Sequence, residues 1–549
     1  MPPRRSARAA SAKHIHPAEN GRDILHPRTR SIAPRKRAAS PERAPPPKRS
    51  RTNSKKSEDE VSENAIKFSS KPRLAKAVKP TQPVAKKPKG KSPLIPASLP
   101  QQKPYFNPLP TPPPKSRPPL QLFVWGAGNF GQFGMGPDAL DEKDKMTKNT
   151  WVEENIQAGT FGEPDAGLET IAAGGLHTLF IDEKGTVWSC GNNDEAALGR
   201  VTQDVQDPEH PESFLDIDEL MSIPYPLQSL INENFRAVLI AAGDNVSAAV
   251  SSEGELRVWG TFRANEGSLG FQQGLRHQFV PVSILKLSHK PGDYEKVSSI
   301  AAGTNHLIVL TTHGNIYTLG AGEQAQLGRR VLDRRKIHGT VPEKIILGNR
   351  SRKAVAIGAG AYHSFAVDED GTVWGWGLNV MGQIGTGPTS SDDDVVQTPI
   401  KVKRLTKEEL DGDKVVQIAA GEHHTLFRTE EGKVYACGRA ESGQLGLADD
   451  DPAFAECPDR DSVPEPVQIQ FPDPADPVIH ISAAAHCNMA VTEGGALYSW
   501  GQGTQGELGV PDVVIKTPKQ LVRKEGGKWF AASASCGGQH TLGLFRKKE

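Results

Sequence analysis

The chain lacks any apolar run approaching the ~18–20 residues that cross a bilayer. Its first residues are basic with no apolar stretch behind them, so a secretory signal is not expected either. Cysteine is scarce: Cys190, Cys437, Cys457, Cys487 and Cys536 are odd in number and form no C-x-x-C pair, which argues against a disulfide framework and against a zinc site. Together these absences describe a soluble chain of a reducing, intracellular compartment. Aromatic residues are only 6% of the sequence, and almost none fall in the first 120 residues. That region also has no periodic apolar positions, so it cannot bury enough surface to offset the entropy of ordering. Nor does the sequence group a nucleophile with a base and an orienting residue, which disfavours covalent catalysis.

Charge is present in abundance, but divided. Residues 1–120 hold 28 Lys/Arg against 7 Asp/Glu, and residues 121–549 hold 38 against 58, so the overall +1 hides an arm of +21 and a body of −20. The arm carries three clusters: Arg35-Lys36-Arg37, then Lys48, Arg49 and Arg51, then Lys86, Lys87 and Lys89. Short basic clusters act as nuclear import signals or nucleic-acid patches. A solvated tail is the plain alternative, but three clusters favour polyanion contact, because neutralising phosphates releases counterions without any fixed structure. The Pro-rich run Pro104–Pro119 is expected to be a stiff spacer. Two domains follow: a disordered arm over 1–120 and a folded body over 121–549.

From Leu122 onward one unit recurs. A small-residue strand ends in A-G-x-x-H-[ST], as at Ala173–Thr178, with counterparts at Gly243, Gly303, Gly360, Gly421, Ala484 and Gly537. The first six copies continue through a short apolar run into a polar tetrad closed by glycine, such as Asp182–Gly185, and the glycine suits the positive φ of a hairpin loop. A strand with a central aromatic follows, as in Thr186–Gly191. Four strands per copy at this period indicate a β-propeller. The last copy lacks its aromatic strand, and Leu122–Gly126 supplies one, so the expected fold is all-β: a seven-bladed propeller closed by pairing of N- and C-terminal strands. The two variable residues of each A-G-x-x-H should form a ring on one face.

One copy breaks step. Elsewhere a Gly, seven residues and a second Gly close the unit, as from Gly191 to Gly199, but the interval from Gly260 to Gly270 is two residues longer. It is either an ordinary loop variant or a functional projection.

The A-G-x-x-H-T, V-[WY]-x-x-G and G-Q-L-G elements in seven copies resemble the regulator of chromosome condensation repeat over residues 120–549. Cys190–Arg200, Ala241–Asn245, Trp259–Gly270, Tyr317–Arg329 and Ala419–Thr425 are similar to the nuclear guanine-nucleotide exchange factors for the small GTPase Ran. The resemblance implies that Phe262, Arg263, Ala264, Asn265, Glu266 and Gly267, with Ser268, form a β-wedge set against the GTPase beside its nucleotide. It implies that Asp244, Asn305, Arg329, His423 or His424, and His540 match functional positions, with Asn129, Asn245, Tyr362, Glu422, His486 and Gln539 contacting the GTPase. Asn129 and Asn305 stand where the family commonly has Asp. The recurring histidines also have a structural alternative, one repeated internal hydrogen bond per blade. Arg329, Arg330, Arg334, Arg335 and Lys336 form a basic loop where the family docks on the acidic patch of the nucleosome; the alternative is a solvated loop. The implied protein is a chromatin-bound nuclear exchange factor, with an import receptor reading the arm and with no covalent chemistry, cofactor, metal or membrane. The competing hypothesis is a propeller scaffold or chromatin reader without exchange activity.

Overall fold

Short side chains decide which strand of each unit lies innermost, since only Ala- and Gly-rich strands can converge on one axis. In the computed structural model, which describes residues 102–208, 210–271, 274–388, 394–457 and 461–549, seven such strands close a ring. They are Leu168–Ala173, Ala237–Ala242, Val297–Ala302, Ala354–Ala359, Val415–Ala420, Val478–Ala484 and Trp529–Cys536, and each is the inner edge of a four-stranded antiparallel blade, numbered here 1 to 7 in that order. The expected propeller is therefore present.

Blade 7 is assembled from both ends of the described chain. Its order is Lys143–Lys148, Gln121–Gly126, His540–Lys547, Trp529–Cys536, and the closing pairing runs from Gln121 opposite Phe545 to Gly126 opposite His540. This removes the open edge that a seventh sheet would otherwise expose. The glycines ending the polar tetrads, Gly185, Gly254, Gly314, Gly371, Gly432 and Gly495, take φ between 71° and 84°, as the hairpin argument requires.

The core lies between blades and is held by a repeated polar pin. Trp125, Trp259, Trp376 and Trp500 are fully buried, and each indole N–H donates to a main-chain oxygen in the preceding blade's loop: Glu507 (2.8 Å), Ala197 (2.8 Å), Gln326 (2.9 Å) and Gln444 (3.1 Å). The same oxygens accept from Thr541, Ser247, Ser364 and Asn488, and in the remaining pinned junctions Gln132 O accepts from Thr178 and Gln383 O from Thr425. The pinned oxygen belongs to the residue before the L-G, F-G or I-G pair, which gives the G-Q-L-G motif its structural meaning.

The Pro-rich run, expected to be a stiff spacer, is docked on the body. Asn107 is buried, and its side-chain amide donates to Thr311 O at 3.0 Å and Ala354 O at 2.9 Å, while Ser298 Oγ donates to Pro108 O at 2.6 Å. Arg117 holds Glu183 through two contacts of 2.6 and 3.0 Å. Residues 102–120 thus lie along the hairpin loops of blades 3 and 1 before entering blade 7, so folded structure begins ahead of residue 121. A Pro-rich strand loses little entropy on docking, because its φ angles are already fixed.

Candidate functional site

In all seven blades the N–H following the third strand's glycine donates to the carbonyl of the second variable residue of A-G-x-x-H; Thr261 bonds Asn245 at 2.9 Å and Ala321 bonds Asn305 at 2.8 Å. At Gly260, with φ of 94°, an added Cβ would stand 2.1 Å from Asn245 O, so only glycine permits the approach. The ring turns and the loops after the third strands therefore share one face, opposite the polar hairpins. The inner strands surround a cavity of about 380 Å³, with Asp244, Tyr362 and Glu422 among its lining residues.

The junction from blade 2 to blade 3 has none of the pins. Where most other blades place a histidine, a hydroxyl and a tryptophan, this one has Val246, Leu307 and Leu319, all buried, and Phe262 packs in the same cluster with Phe271, their ring centroids 5.3 Å apart. The long loop Trp259–Gly270 springs from this apolar junction. Arg263–Ala264 pairs with Gly267–Ser268 as a two-residue hairpin whose turn is Asn265–Glu266, and Gly267 has φ of 121°. Among the described residues no carbonyl pin ties this loop to blade 3, and its tip is solvent-exposed at Asn265 and Glu266.

Four neighbours brace it. Asn305 Oδ1 accepts the Arg263 N–H at 3.0 Å, and Glu323 Oε2 accepts the Asn265 N–H at 2.7 Å. On the other flank Ser268 Oγ donates to Glu195 at 2.7 Å, and His277 Nε2 lies 3.0 Å from the same carboxylate. Lys336 Nζ joins Glu323 at 2.5 Å and Glu266 at 3.1 Å. Arg263, Asn265 and Glu266 are exposed and Ala264 is half-buried. Burial raises the Asp244 carboxyl above its ordinary value, and the Arg263 charge and the Asn245 amide, 3.0 Å away, oppose that rise.

The face collects most of the expected residues but not all. Asn245, Asn305, Tyr362, Glu422, His423, His486 and Gln539 stand half-buried on the ring, and Asn129 is exposed in the turn after Gln121–Gly126. Glu422 sits 3.6 Å from both His423 and His486, and burial pulls the His423 pKa down. Four of the expected functional residues act from inside the fold. Phe262 is wholly buried and anchors the wedge from beneath. His424 and His540 are also wholly buried; their Nε2 atoms bridge to Asn488 (2.7 Å) and Thr178 (2.9 Å) of the next blade, so they cannot touch a partner. His177, His306 and His363 make the equivalent bridges, which is the repeated internal bond. Arg329 folds back onto Gly339 O (3.0 Å) and Val341 O (2.9 Å), as Arg200 does onto Leu220 O (2.8 Å), and so organises its own loop.

Lys336, expected with the basic loop, pairs with Glu266 and Glu323 at the wedge, whereas Arg330, Arg334 and Arg335 of the same loop are exposed and make no ion pair to the described residues. Arg35, Lys36, Arg37, Lys48, Arg49, Arg51, Lys86, Lys87 and Lys89 lie outside the described residues. Glu195 and Glu323 were not singled out from sequence. The correlated replacements at Val246, Leu307 and Leu319 beside the long loop were the available signal.

Residues 121–543 match the RCC1-like domain family model. Over 443 residues the chain is 33% identical to the guanine nucleotide exchange factor SRM1 of Saccharomyces cerevisiae, covering 77% of this chain and 87% of that protein. Over 440 residues it is 32% identical to the regulator of chromosome condensation of Homo sapiens, covering 78% and 91% respectively. The crystal structure of Prp20p from Saccharomyces cerevisiae, described with its binding to Gsp1p and histones, superimposes with a TM-score of 0.67 at 29% identity, covering 81% of this chain and 93% of that one.

Proposed function

The chain belongs to the regulator of chromosome condensation family, and from that membership we propose that it is a guanine-nucleotide exchange factor for a Ran-type small GTPase. The observation that carries this reading is the wedge: among the described residues, the one loop of its kind without a carbonyl pin, braced by Asn305, Glu323 and Glu195 beside a ring of polar turns.

Exchange makes and breaks no covalent bond, so it calls for no nucleophile and no cofactor of this chain's own. The factor must bind the nucleotide-free GTPase more tightly than the loaded one. Because coupling between two ligands is reciprocal, the same free-energy difference weakens the nucleotide. In this mechanism the ring supplies docking affinity through Asp244, Asn245, Asn305, Tyr362, Glu422, His423, His486 and Gln539, with Asn129 at the rim. Arg263, Asn265 and Glu266 enter the space beside the nucleotide. His424, His540, Phe262 and Arg329 act from within, by fixing the turns and loops that carry the contacting groups.

A nuclear, chromatin-bound location accompanies this activity. Arg330, Arg334 and Arg335 offer planar, bidentate donors to a carboxylate-rich surface such as the nucleosome acidic patch. The histone binding described for Prp20p supports a chromatin partner. The basic arm contributes salt-dependent DNA contact and clusters for an import receptor.

The test is release of labelled GDP from purified Ran. Acceleration by catalytic amounts of the protein is expected, and no acceleration at stoichiometric protein would sink the reading.

A further inference from the structure

The wedge differs from its six counterparts in what holds it. A common-length loop is fastened by its own main-chain oxygen to the next blade, whereas the long loop is gripped by side chains of two other loops. We infer that Glu323 and Glu195 are positioning residues for the exchange reaction, a carboxylate clamp closing on the wedge from blades 3 and 1. This inference rests on the exchange reading above.

The two sides of the clamp act on different parts of the hairpin. Glu323 leaves the loop after Ile316–Gly320 and is largely buried, with its side chain 13% exposed. One of its oxygens accepts the turn amide of Asn265 and the other pairs with Lys336, which in turn reaches Glu266. The tip is thus fixed through its main chain, and its two polar side chains remain directed outward, Glu266 being 81% exposed. Glu195, from the loop after Val187–Gly191, takes the Ser268 hydroxyl at the returning strand and lies 3.0 Å from His277 Nε2 beyond it. A hairpin of two residue pairs is not stable alone. Beyond its buried root at Phe262, the bonds to Asn305, Glu323, Glu195 and Lys336 are what brace it. Both carboxylates are partnered by protein groups in the free protein, so the wedge is preorganised and its ordering does not oppose partner binding.

A positioning role separates from a docking role in the kinetics. Docking residues on the ring set how much GTPase is bound; the clamp sets how well bound GTPase gives up its nucleotide. With the full chain and Ran, Glu323→Ala should lower the maximal GDP-release rate about tenfold or more, the worth of one hydrogen bond to a charged group, with the half-saturating GTPase concentration little changed. Glu323→Gln keeps an acceptor for the Asn265 amide and should recover most of that rate. Amide hydrogen exchange at Arg263–Ser268 should speed up in the Ala variant and not in the Gln variant. If Glu323→Ala folds poorly, Glu195→Ala and Lys336→Met carry the same test, each lowering the maximal rate. A maximal rate equal to that of the natural protein in the Ala variant, or an effect confined to half-saturation, overturns the clamp. Inactivity of the natural protein itself would instead overturn the exchange reading.

Discussion

The side-chain oxygen of Asn305 accepts the backbone N–H of Arg263 at 3.0 Å, tying a ring turn of blade 3 to the first residue of the wedge. The bond needs an acceptor and no charge, which explains how Asn can serve where the family commonly has Asp. Asn305→Asp should therefore retain exchange activity close to that of the natural protein. Asn305→Ala should slow GDP release several-fold, a loss of about 1 kcal/mol. Equal rates for the Ala and Asp variants would show that the bond does not matter.

Acid should weaken the propeller through its histidines. In four bridges the hydroxyl spends its proton on a carbonyl, and in the fifth the partner is an amide oxygen, so each Nε2 must carry the hydrogen. Nδ1 of His177, His306, His363, His424 and His540 is then a buried atom without a partner, and burial lowers their pKa values to about 4 for His177 and His424 and about 3 for the others. An unfolded histidine titrates near 6.5. Between that value and the folded ones the unfolded chain binds more protons, so stability is flat above pH ~6.5 and falls as pH drops below it. The loss is about 1.4 kcal/mol per histidine one pH unit below 6.5. Urea midpoints at about pH 7.5 and about pH 5.5 measure this, and equal midpoints would contradict the tautomer assignment.

Phe262 tests whether the wedge has a root in the core. Phe262→Ala should cost roughly 3–5 kcal/mol of stability, and Phe262→Leu much less. Thermal melts check the pair. A surface role would leave both melts unchanged.

The strap gives a truncation boundary. Removing residues 1–101 should leave the melting temperature unchanged, whereas removing 1–115 uncovers Thr311 O and Ala354 O and should lower it. Asn107→Ala should cost about 1–3 kcal/mol, since it removes a donor from two buried carbonyls, Thr311 O keeping only its turn bond from Gly314. A 1–115 deletion as stable as the full chain would return the segment to the status of a linker.

The loop Arg329–Lys336 should divide its labour. Arg334→Ala with Arg335→Ala should weaken nucleosome binding and spare GDP release, and Lys336→Met should do the reverse. Loss of both activities in either variant would mean that the loop acts as one unit.

Blade number and the glycine turns were legible because each rests on local chemistry repeated from copy to copy, and closure because the last copy lacks the strand that Leu122–Gly126 supplies. The strap was not, since Asn107 meets partners some 200 residues away and a Pro-rich run has no periodicity to betray a docked face. Burial of His424 and His540 followed from recurrence, which favours an internal bond; the resemblance pointed the other way. Lys336 was grouped with its arginine neighbours by composition, and only the fold brings it to Glu323 and Glu266. The clamp stayed hidden because single acidic residues in Gly-rich loops look like solvated surface.

The most direct measurement replaces Arg263–Ser268 with a loop of the common length and follows GDP release from Ran. The account predicts a folded protein that still binds the GTPase through its ring but no longer accelerates release. Full activity in the shortened protein would contradict it.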